Sequence, residues 1–228
     1  MTRLVDDRGT VLVTGGAGFL GAAVVARAAG SWGRVVATVH RAPAPPDVEA
    51  VAECVVLDLR DADAIERVVD EVRPALVVHT AYLESGPDLT AVTAIAPGVV
   101  ASAAAAVGAR LVHVSSDVVH RGECGVVYAD GATPDPVHAY GRAKADAERR
   151  VLAADPTAVV ARTSLIVAGP GRPAGRHEQL GLDALDGRAE VTFFDDEIRC
   201  QAAVADLAAA LLALAETDVA GTVNVAGA

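Results

Sequence analysis

Val11-Leu12-Val13-Thr14-Gly15-Gly16-Ala17-Gly18-Phe19-Leu20-Gly21 decides how the rest of the chain reads. A short aliphatic run ends in spaced glycines, and a helical pattern from Phe19 to Ala29 follows at once. That is a strand, a tight turn and a helix start. Glycine permits the turn and lets the backbone approach a pyrophosphate with no Cβ in the way. The helix start offers unpaired N–H groups and the positive end of its dipole. Gly15, Gly18 and Gly21 give one glycine spacing, and Gly16, Gly18 and Gly21 give a second. A glycine triplet alone is a weak motif; the strand before it and the helix after it make it a dinucleotide-binding signal.

The 228 residues suffice for one large domain, or one domain with a small appendage. Hydrophobic residues make up 52% and aromatics only 3%, so the core must be built from Val, Leu and Ala. That suits a buried parallel sheet covered by alanine-rich helices. The net charge of −11 argues against nucleic acid and anionic membrane as partners. Cys54, Cys124 and Cys200 lie far apart, with no spacing for zinc. Sparse cysteines, a charged Met1–Gly9 without a signal-peptide core, and no apolar run of membrane length predict a cytoplasmic protein.

Strand and helix patterns alternate along the chain. Strands are expected at Val11–Thr14, Arg34–Val39, Val55–Leu57, Ala75–His79, Leu111–Val114 and Ala158–Arg162. Helices are expected at Phe19–Ala29, Ala62–Glu71, Leu89–Val107 and Tyr140–Leu152. This order predicts an α/β Rossmann-type doubly wound parallel sheet. After Thr163 the pattern changes. Val167–His177 reads as a Gly/Pro/Arg-rich mobile loop, Glu178–Leu185 as a helix and Val191–Phe194 as a strand. Val204–Glu216 reads as an amphipathic helix and Thr222–Val225 as a last strand. The expected division is a dinucleotide-binding domain over residues 1–163 and a small, truncated C-terminal substrate subdomain over 164–228, with elements returning to the sheet.

Tyr140 and Lys144 stand four residues apart, on one face of a helix. A nearby ammonium lowers a phenol's pKa, which suits proton transfer. A surface helix carries such a pair by chance often. Placement sharpens the reading. The pair follows the strand ending Val114-Ser115-Ser116-Asp117, and ligands of open α/β sheets bind at the carboxyl ends of strands. Ser116 there presents a hydroxyl to a substrate carbonyl.

Glycine turn, strand-end serine and helical Tyr/Lys, in this order, resemble the extended branch of the short-chain dehydrogenase/reductase superfamily. Asp58-Leu59 looks like that family's adenine contact, and Thr80-Ala81-Tyr82 after His79 like its strand end beside the nicotinamide ribose. Ser115-Ser116-Asp117-Val118-Val119 is similar to the Ser-Thr-Asp-Tyr-Val-Phe motif of the dTDP-4-dehydrorhamnose reductase group. Ala205-Asp206-Leu207-Ala208 and Gly221-Thr222-Val223-Asn224-Val225 resemble that group's late helix and last strand. The resemblance implies a carbonyl reductase. Tyr140 is then the proton donor, Ser116 the hydrogen-bond donor to the same oxygen, and Lys144 the holder of the ribose hydroxyls that depresses the Tyr140 pKa. Gly15, Gly18, Phe19, Leu20, Gly21, His40, Arg41, Asp58, Leu59, Thr80, Ala81, Tyr82, Tyr140 and Lys144 then form the cofactor site. Arg162-Thr163-Ser164 looks like a family segment near the substrate.

Cofactor choice rests on Val39-His40-Arg41-Ala42. An acidic residue after the second strand favours NAD, and an Arg accommodates a 2′-phosphate. With Arg41 and no acid, NADP is expected over NAD. The substrate is expected to be a small carbonyl compound, such as a 4-keto sugar or its nucleotide. Two alternatives remain: an epimerase or dehydratase of the same branch, and a non-catalytic NADP-binding regulatory protein. The departures bear on these. Thr93 stands where the family usually has Asn, and Val118 and His120 replace the motif's Tyr and Phe. The sequence stops soon after its last strand, where family members usually continue.

No metal site is expected: His79 and His113 read as core histidines, and Asp195-Asp196-Glu197 as a solvated turn. The alanine-rich faces of Leu89–Val107 and Tyr140–Leu152 suggest a homodimer through close helix approach.

Overall fold

Val11 and Val13 face one side of the first strand and Leu12 the other, and all three are fully buried. Side chains alternate along a strand, so a strand apolar on both faces must have helices on both. The computed structural model describes residues 8–169 and 173–227. Most of the Met1–Gly9 terminus and the centre of the Val167–His177 segment lie outside them.

Among the described residues, the first half runs β1 (Thr10–Thr14), α1 (Phe19–Ala28), β2 (Arg34–Val39), α2 (Pro46–Glu49), β3 (Glu53–Val56), α3 (Ala62–Val72) and β4 (Leu76–His79). A π-helical turn (Thr90–Ile95) then leads into α4 (Ala96–Ala106). The chain continues through β5 (Arg110–Ser116), α5 (Ala139–Ala154), β6 (Val159–Thr163), β7 (Ile166–Val167) and α6 (Arg176–Leu185). It closes with β8 (Ala202–Ala203), α7 (Val204–Ala215) and β9 (Gly221–Asn224). Seven parallel strands form one sheet in the order β3-β2-β1-β4-β5-β6-β9. The order reverses between β1 and β4, which opens the ligand crevice of this topology at their carboxyl ends.

One apolar cluster joins Val11, Val13, Val78 and Val112 to Val24 of α1 and to Leu207 and Leu211 of α7. The other joins Leu12, Val77, Leu111 and Val160 to Ile65 of α3, Val100 and Ala104 of α4, and Val151 of α5. The late helix α7 therefore shares the main core, and β9 extends the main sheet.

Helix ends follow local chemistry. The Asp61 side chain caps α3 by accepting from the Ala64 N–H at 3.0 Å. Arg73 closes it in the left-handed region at φ 47°, ahead of Pro74.

Two expectations are corrected. Val191–Phe194 is not a strand: Phe193 is 59% exposed and Phe194 79%, so neither face has a partner to pair or pack against. The small second sheet is β7 on β8 instead. The Leu89–Val107 helix is interrupted by the π turn at Thr90–Ile95. Small residues on α4 are used within the chain, since a Cβ on Gly98 would lie 2.9 Å from the Arg150 Cβ of α5. No described helix is long and apolar enough to cross a membrane.

Candidate functional site

The glycine turn is a cradle whose close approaches exclude side chains. Gly15 has φ +70° and packs against Ala81. A Cβ on Gly21 would lie 2.1 Å from the Gly15 carbonyl oxygen, so only glycine lets α1 start this close to β1. Gly16 donates to the Thr38 carbonyl at 3.0 Å and Gly15 to the Thr38 hydroxyl at 3.2 Å, which pins the turn to β2. Gly18 caps α1 in an extended conformation with no side-chain acceptor. The first-turn N–H groups of Phe19, Leu20 and Gly21 thus face the crevice without a capping group. These features fit a dinucleotide pyrophosphate. Thr80 donates to the Thr14 carbonyl at 2.8 Å, fixing the β4 end beside the turn.

His40 and Arg41 follow β2. Arg41 is exposed and forms no ion pair among the described residues, so a cation stands ready there for an anion. Asp58, after β3, is held by Arg60 two residues on. Its carboxylate takes the Arg60 backbone N–H at 2.9 Å and the guanidinium at 2.6 Å, and Arg60 reaches on to Asp88 at 3.0 Å. Those bonds hold the Asp58 carboxyl well below the usual range.

The Tyr/Lys pair sits where β4, β5 and α5 meet. His138 caps α5 by accepting from the Gly141 N–H at 3.1 Å. Tyr82 and Tyr140 have ring centres 5.7 Å apart, and the Lys144 Nζ lies 5.1 Å and 5.9 Å from the two centres. Lys144 is buried and donates to the Val114 carbonyl at 3.0 Å. Burial lowers its pKa to about 8, against a partly opposing pull from Glu148. The expected depression of the Tyr140 pKa does not occur: burial raises the phenol, with Tyr82, Glu84 and Asp117 adding to it and Arg199 opposing. Desolvation outweighs an ammonium that is turned to a strand carbonyl.

Ser116 ends β5 and donates to the Asp117 Oδ1 at 3.2 Å. The same oxygen accepts from Arg199 at 3.0 Å. Arg199 also reaches Ser164 at 3.4 Å, tying the segment before β8 to the strand ends.

A buried polar layer lies beneath this site. Arg162 of β6 meets Glu148 of α5 at 2.9 and 2.7 Å, and Ser115 donates to Glu148 at 2.6 Å. Sequence reasoning missed Glu148, although it follows Lys144 by one helical turn and the i,i+4 spacing is the signal that finds it. His79 and His113, paired across β4 and β5, stack at 5.2 Å. Thr14 bonds the His79 Nδ1 at 2.5 Å. The His79 Nε2 and both nitrogens of His113 have no partner among the described residues, so these are only partly satisfied core histidines. Burial and the Lys144 charge lower both, His79 to about 3. Thr93, in the π turn, is fully used: its hydroxyl donates to the Leu83 carbonyl and accepts from the Leu83 N–H, both at 2.8 Å.

Asp195, Asp196 and Glu197 are exposed, and no metal-binding group occurs among the described residues. Gly175 packs on the Phe19 ring, and Arg176 bridges to Glu84 at 3.1 Å.

A dTDP-4-dehydrorhamnose reductase from Mycobacterium tuberculosis is 37% identical over 180 residues, covering 73% of this chain and 57% of the relative. The chain thus matches little more than half of that relative's length. A dTDP-4-dehydrorhamnose reductase from Bacillus anthracis, solved with NADP, shares the fold with a TM-score of 0.76 at 22% identity, covering 100% of this chain and 77% of that one. The enzyme WbmG from Bordetella bronchiseptica, solved with NAD, shares it with a TM-score of 0.81 at 22% identity, covering 99% and 74%. The model of the RmlD substrate binding domain matches residues 9–227, nearly the whole chain, and the chain belongs to that family of the extended short-chain dehydrogenases/reductases.

Proposed function

We propose that this chain is an NADP-dependent reductase of a carbonyl compound, a 4-keto sugar in kind. The observation that carries the reading is the convergence of Tyr140 and Lys144 with Tyr82 at the β4 and β5 ends, beside a glycine cradle that admits no side chain. The turn from Gly15 to Gly21 would hold the pyrophosphate, His40 and Arg41 the adenosine phosphate, and Lys144 with Thr80, Ala81 and Tyr82 the nicotinamide ribose. When bound, the cofactor supplies the hydride.

The residues supply the rest. Ser116 offers a hydroxyl to the substrate oxygen and steadies charge that develops there. Tyr140 keeps its proton at neutral pH, because burial raises its pKa. A protonated phenol is a donor, so it serves reduction: its O–H bond breaks as the carbonyl oxygen becomes a hydroxyl. Lys144 is the sole lysine of the chain, and its buried ammonium supports the phenolate left behind. Arg41 supports NADP over NAD, since no acid competes at the β2 end.

Titration with NADPH and NADH, then turnover of the Tyr140→Phe variant, tests the reading. Tight NADPH binding with turnover lost in the variant is expected. If turnover persists in Tyr140→Phe, the proton-donor role is wrong. If NADPH binds and no carbonyl is reduced by the parent protein, the regulatory alternative takes its place.

A further inference from the structure

Lys144 is the sole lysine of the chain and is only 3% exposed. An ammonium carries three N–H donors. Lys144 uses one, on the Val114 carbonyl of β5 at 3.0 Å, and makes no other hydrogen bond or ion pair among the described residues. Glu148, one turn on in α5, is committed to Arg162 and Ser115. His79 of β4 and His113 of β5 face the ammonium from the sheet, and burial keeps both neutral, with the Lys144 charge adding to it. A buried charge so sparsely compensated needs another source of negative potential.

Two aromatic rings supply it. The centre of the Tyr82 ring lies 5.1 Å from the Lys144 Nζ and that of Tyr140 5.9 Å. Both fall within the ~6 Å over which a ring face attracts a cation. The rings themselves are 5.7 Å apart and tilted by 43°, a distance at which aromatic pairs attract. Tyr82 is the nearer to Lys144, yet the fold does not call for a tyrosine there. It is 52% exposed, and its hydroxyl has no hydrogen-bond partner among the described residues. Neither core packing nor a polar contact accounts for the side chain, whereas its place beside the ammonium does.

We propose that Tyr82 is a positioning residue for the proton-donating pair: its ring holds the Lys144 ammonium, and its tilted contact with Tyr140 keeps both phenol rings on that one charge. For its effect on turnover this rests on the reading of the chain as a carbonyl reductase. The attraction grows as water is excluded, and Lys144 is buried. Weakening the ring's negative face therefore makes the ammonium give up its proton more easily. Lys144 would then be neutral at a pH where Tyr140 still needs the charge to support its phenolate.

The test has a binding-independent arm and a turnover arm. Because Lys144 is the only lysine, isotope-labelled lysine gives a single side-chain signal, and NMR reads its titration directly. The proteins compared are the parent, Tyr82→Phe, and Tyr82→Phe carrying one or three ring fluorines. Fluorine drains charge from the ring face and leaves its shape nearly unchanged, so the series separates electronics from packing. Burial raises the Tyr82 phenol, with Glu84 adding and Arg176 opposing, so the parent ring is neutral throughout. Lys144 should titrate at about 8 in the parent and close to that in Tyr82→Phe. It should fall stepwise with fluorine, to about 7 for the most fluorinated ring. A titration that stands still or rises along the series overturns the proposal.

In the turnover arm, the pH above which kcat for carbonyl reduction declines is measured for the same proteins. That limit should move down in step with Lys144, while urea midpoints at pH 7 stay together. If Lys144 moves and the kcat limit does not, Tyr82 holds the lysine without serving the reaction, and the positioning role is overturned. If NADPH binds and the parent reduces no carbonyl, the reductase reading fails by itself, and the NMR series still decides whether Tyr82 holds Lys144.

Discussion

Gly141 is pressed against the carbonyl oxygen of Val118, so that a Cβ at residue 141 would lie 2.3 Å from it. The first turn of α5 thereby rests on the short 3-10 turn Asp117–Val119, which follows Ser116. The elements that carry Tyr140 and Ser116 are thus packed together by a contact that only glycine allows. Gly141→Ala must push the two turns apart. Displacements near 1 Å in an active site cost about a hundredfold in rate, and overpacking costs about 1–3 kcal/mol. The variant should lose turnover in that range and lose NADPH affinity only through the ribose contact of Lys144, since the pyrophosphate cradle is elsewhere. Gly30→Ala, where a Cβ would meet only the Arg27 carbonyl oxygen at an ordinary 3.7 Å, is the control that leaves turnover alone.

The buried ion pair Glu148–Arg162 gives a second prediction. Both side chains are nearly inaccessible, at 5% and 3%. Removing one partner of such a pair costs about 3–5 kcal/mol, because the other charge stays buried and uncompensated. Glu148→Gln leaves Arg162 and Lys144 with no carboxylate in the layer. Urea unfolding at pH 7 should show a loss of that order. A loss below about 1 kcal/mol would mean that the pair is looser than its geometry shows. Replacing both residues by apolar ones should recover much of it.

Much of this arrangement is legible in the amino-acid sequence, and the reasons are physical. Strand and helix periods are strong in residues 10–163, where the strands are apolar on both faces. Tyr140 and Lys144 stand out because i,i+4 spacing places them together on any helix. What the sequence hides depends on distance or on burial. Val191–Phe194 has strand composition, yet composition says nothing of whether a partner is near. Asp58 stands out in sequence only by resemblance, and its bond to the guanidinium two residues on is not visible there. The neighbouring Lys144 suggests a lowered Tyr140 pKa, but burial sets the sign. The Leu83 partner of Thr93 and the Asp117 partner of Arg199 lie 10 and 82 residues away, beyond any local pattern.

Lys144 makes stability depend on pH in a definite direction. Its pKa is about 8 folded and 10.5 as a free side chain. Between these values the unfolded chain binds the extra proton, so this residue makes stability rise with pH from about 8 to 10.5. The size is about 3 kcal/mol. Lys144→Met has no such group. The stability gap between Lys144→Met and the parent should therefore shift in the parent's favour by that amount over this window. Unfolding series from pH 7 to about pH 10.5 measure it, and a flat difference would contradict the buried ammonium.

Arg41 tests cofactor selection separately from catalysis. A charge-assisted contact to a phosphate is worth about 1.5–3 kcal/mol. Arg41→Ser should weaken NADPH binding about tenfold or more, with NADH binding unchanged because that cofactor lacks the phosphate. Equal losses for both would place Arg41 on the shared part of the dinucleotide or outside the site. Arg41 is exposed and unpaired among the described residues, so folding should not change.

His79 and His113 set the acid limit of the fold. Lys144 of α5 faces both rings, with Glu148 beyond it committed to Arg162; Thr14 and Ser115 are the neutral groups of the layer. Burial and the Lys144 charge lower both imidazoles below their free value of 6.5, His79 to about 3. A lowered folded pKa means that the unfolded chain takes up protons first as pH falls. The stability these residues contribute is complete above pH 6.5 and is lost progressively as pH drops toward 3. His113→Val removes two unpartnered ring nitrogens and suits a strand. It should gain about 1–3 kcal/mol at pH 7 and more at pH 5, where the parent has begun to lose stability. The acid midpoint should move down. If the gain is the same at both pH values, His113 is not the group that titrates, and the His79→Val series then carries the test alone.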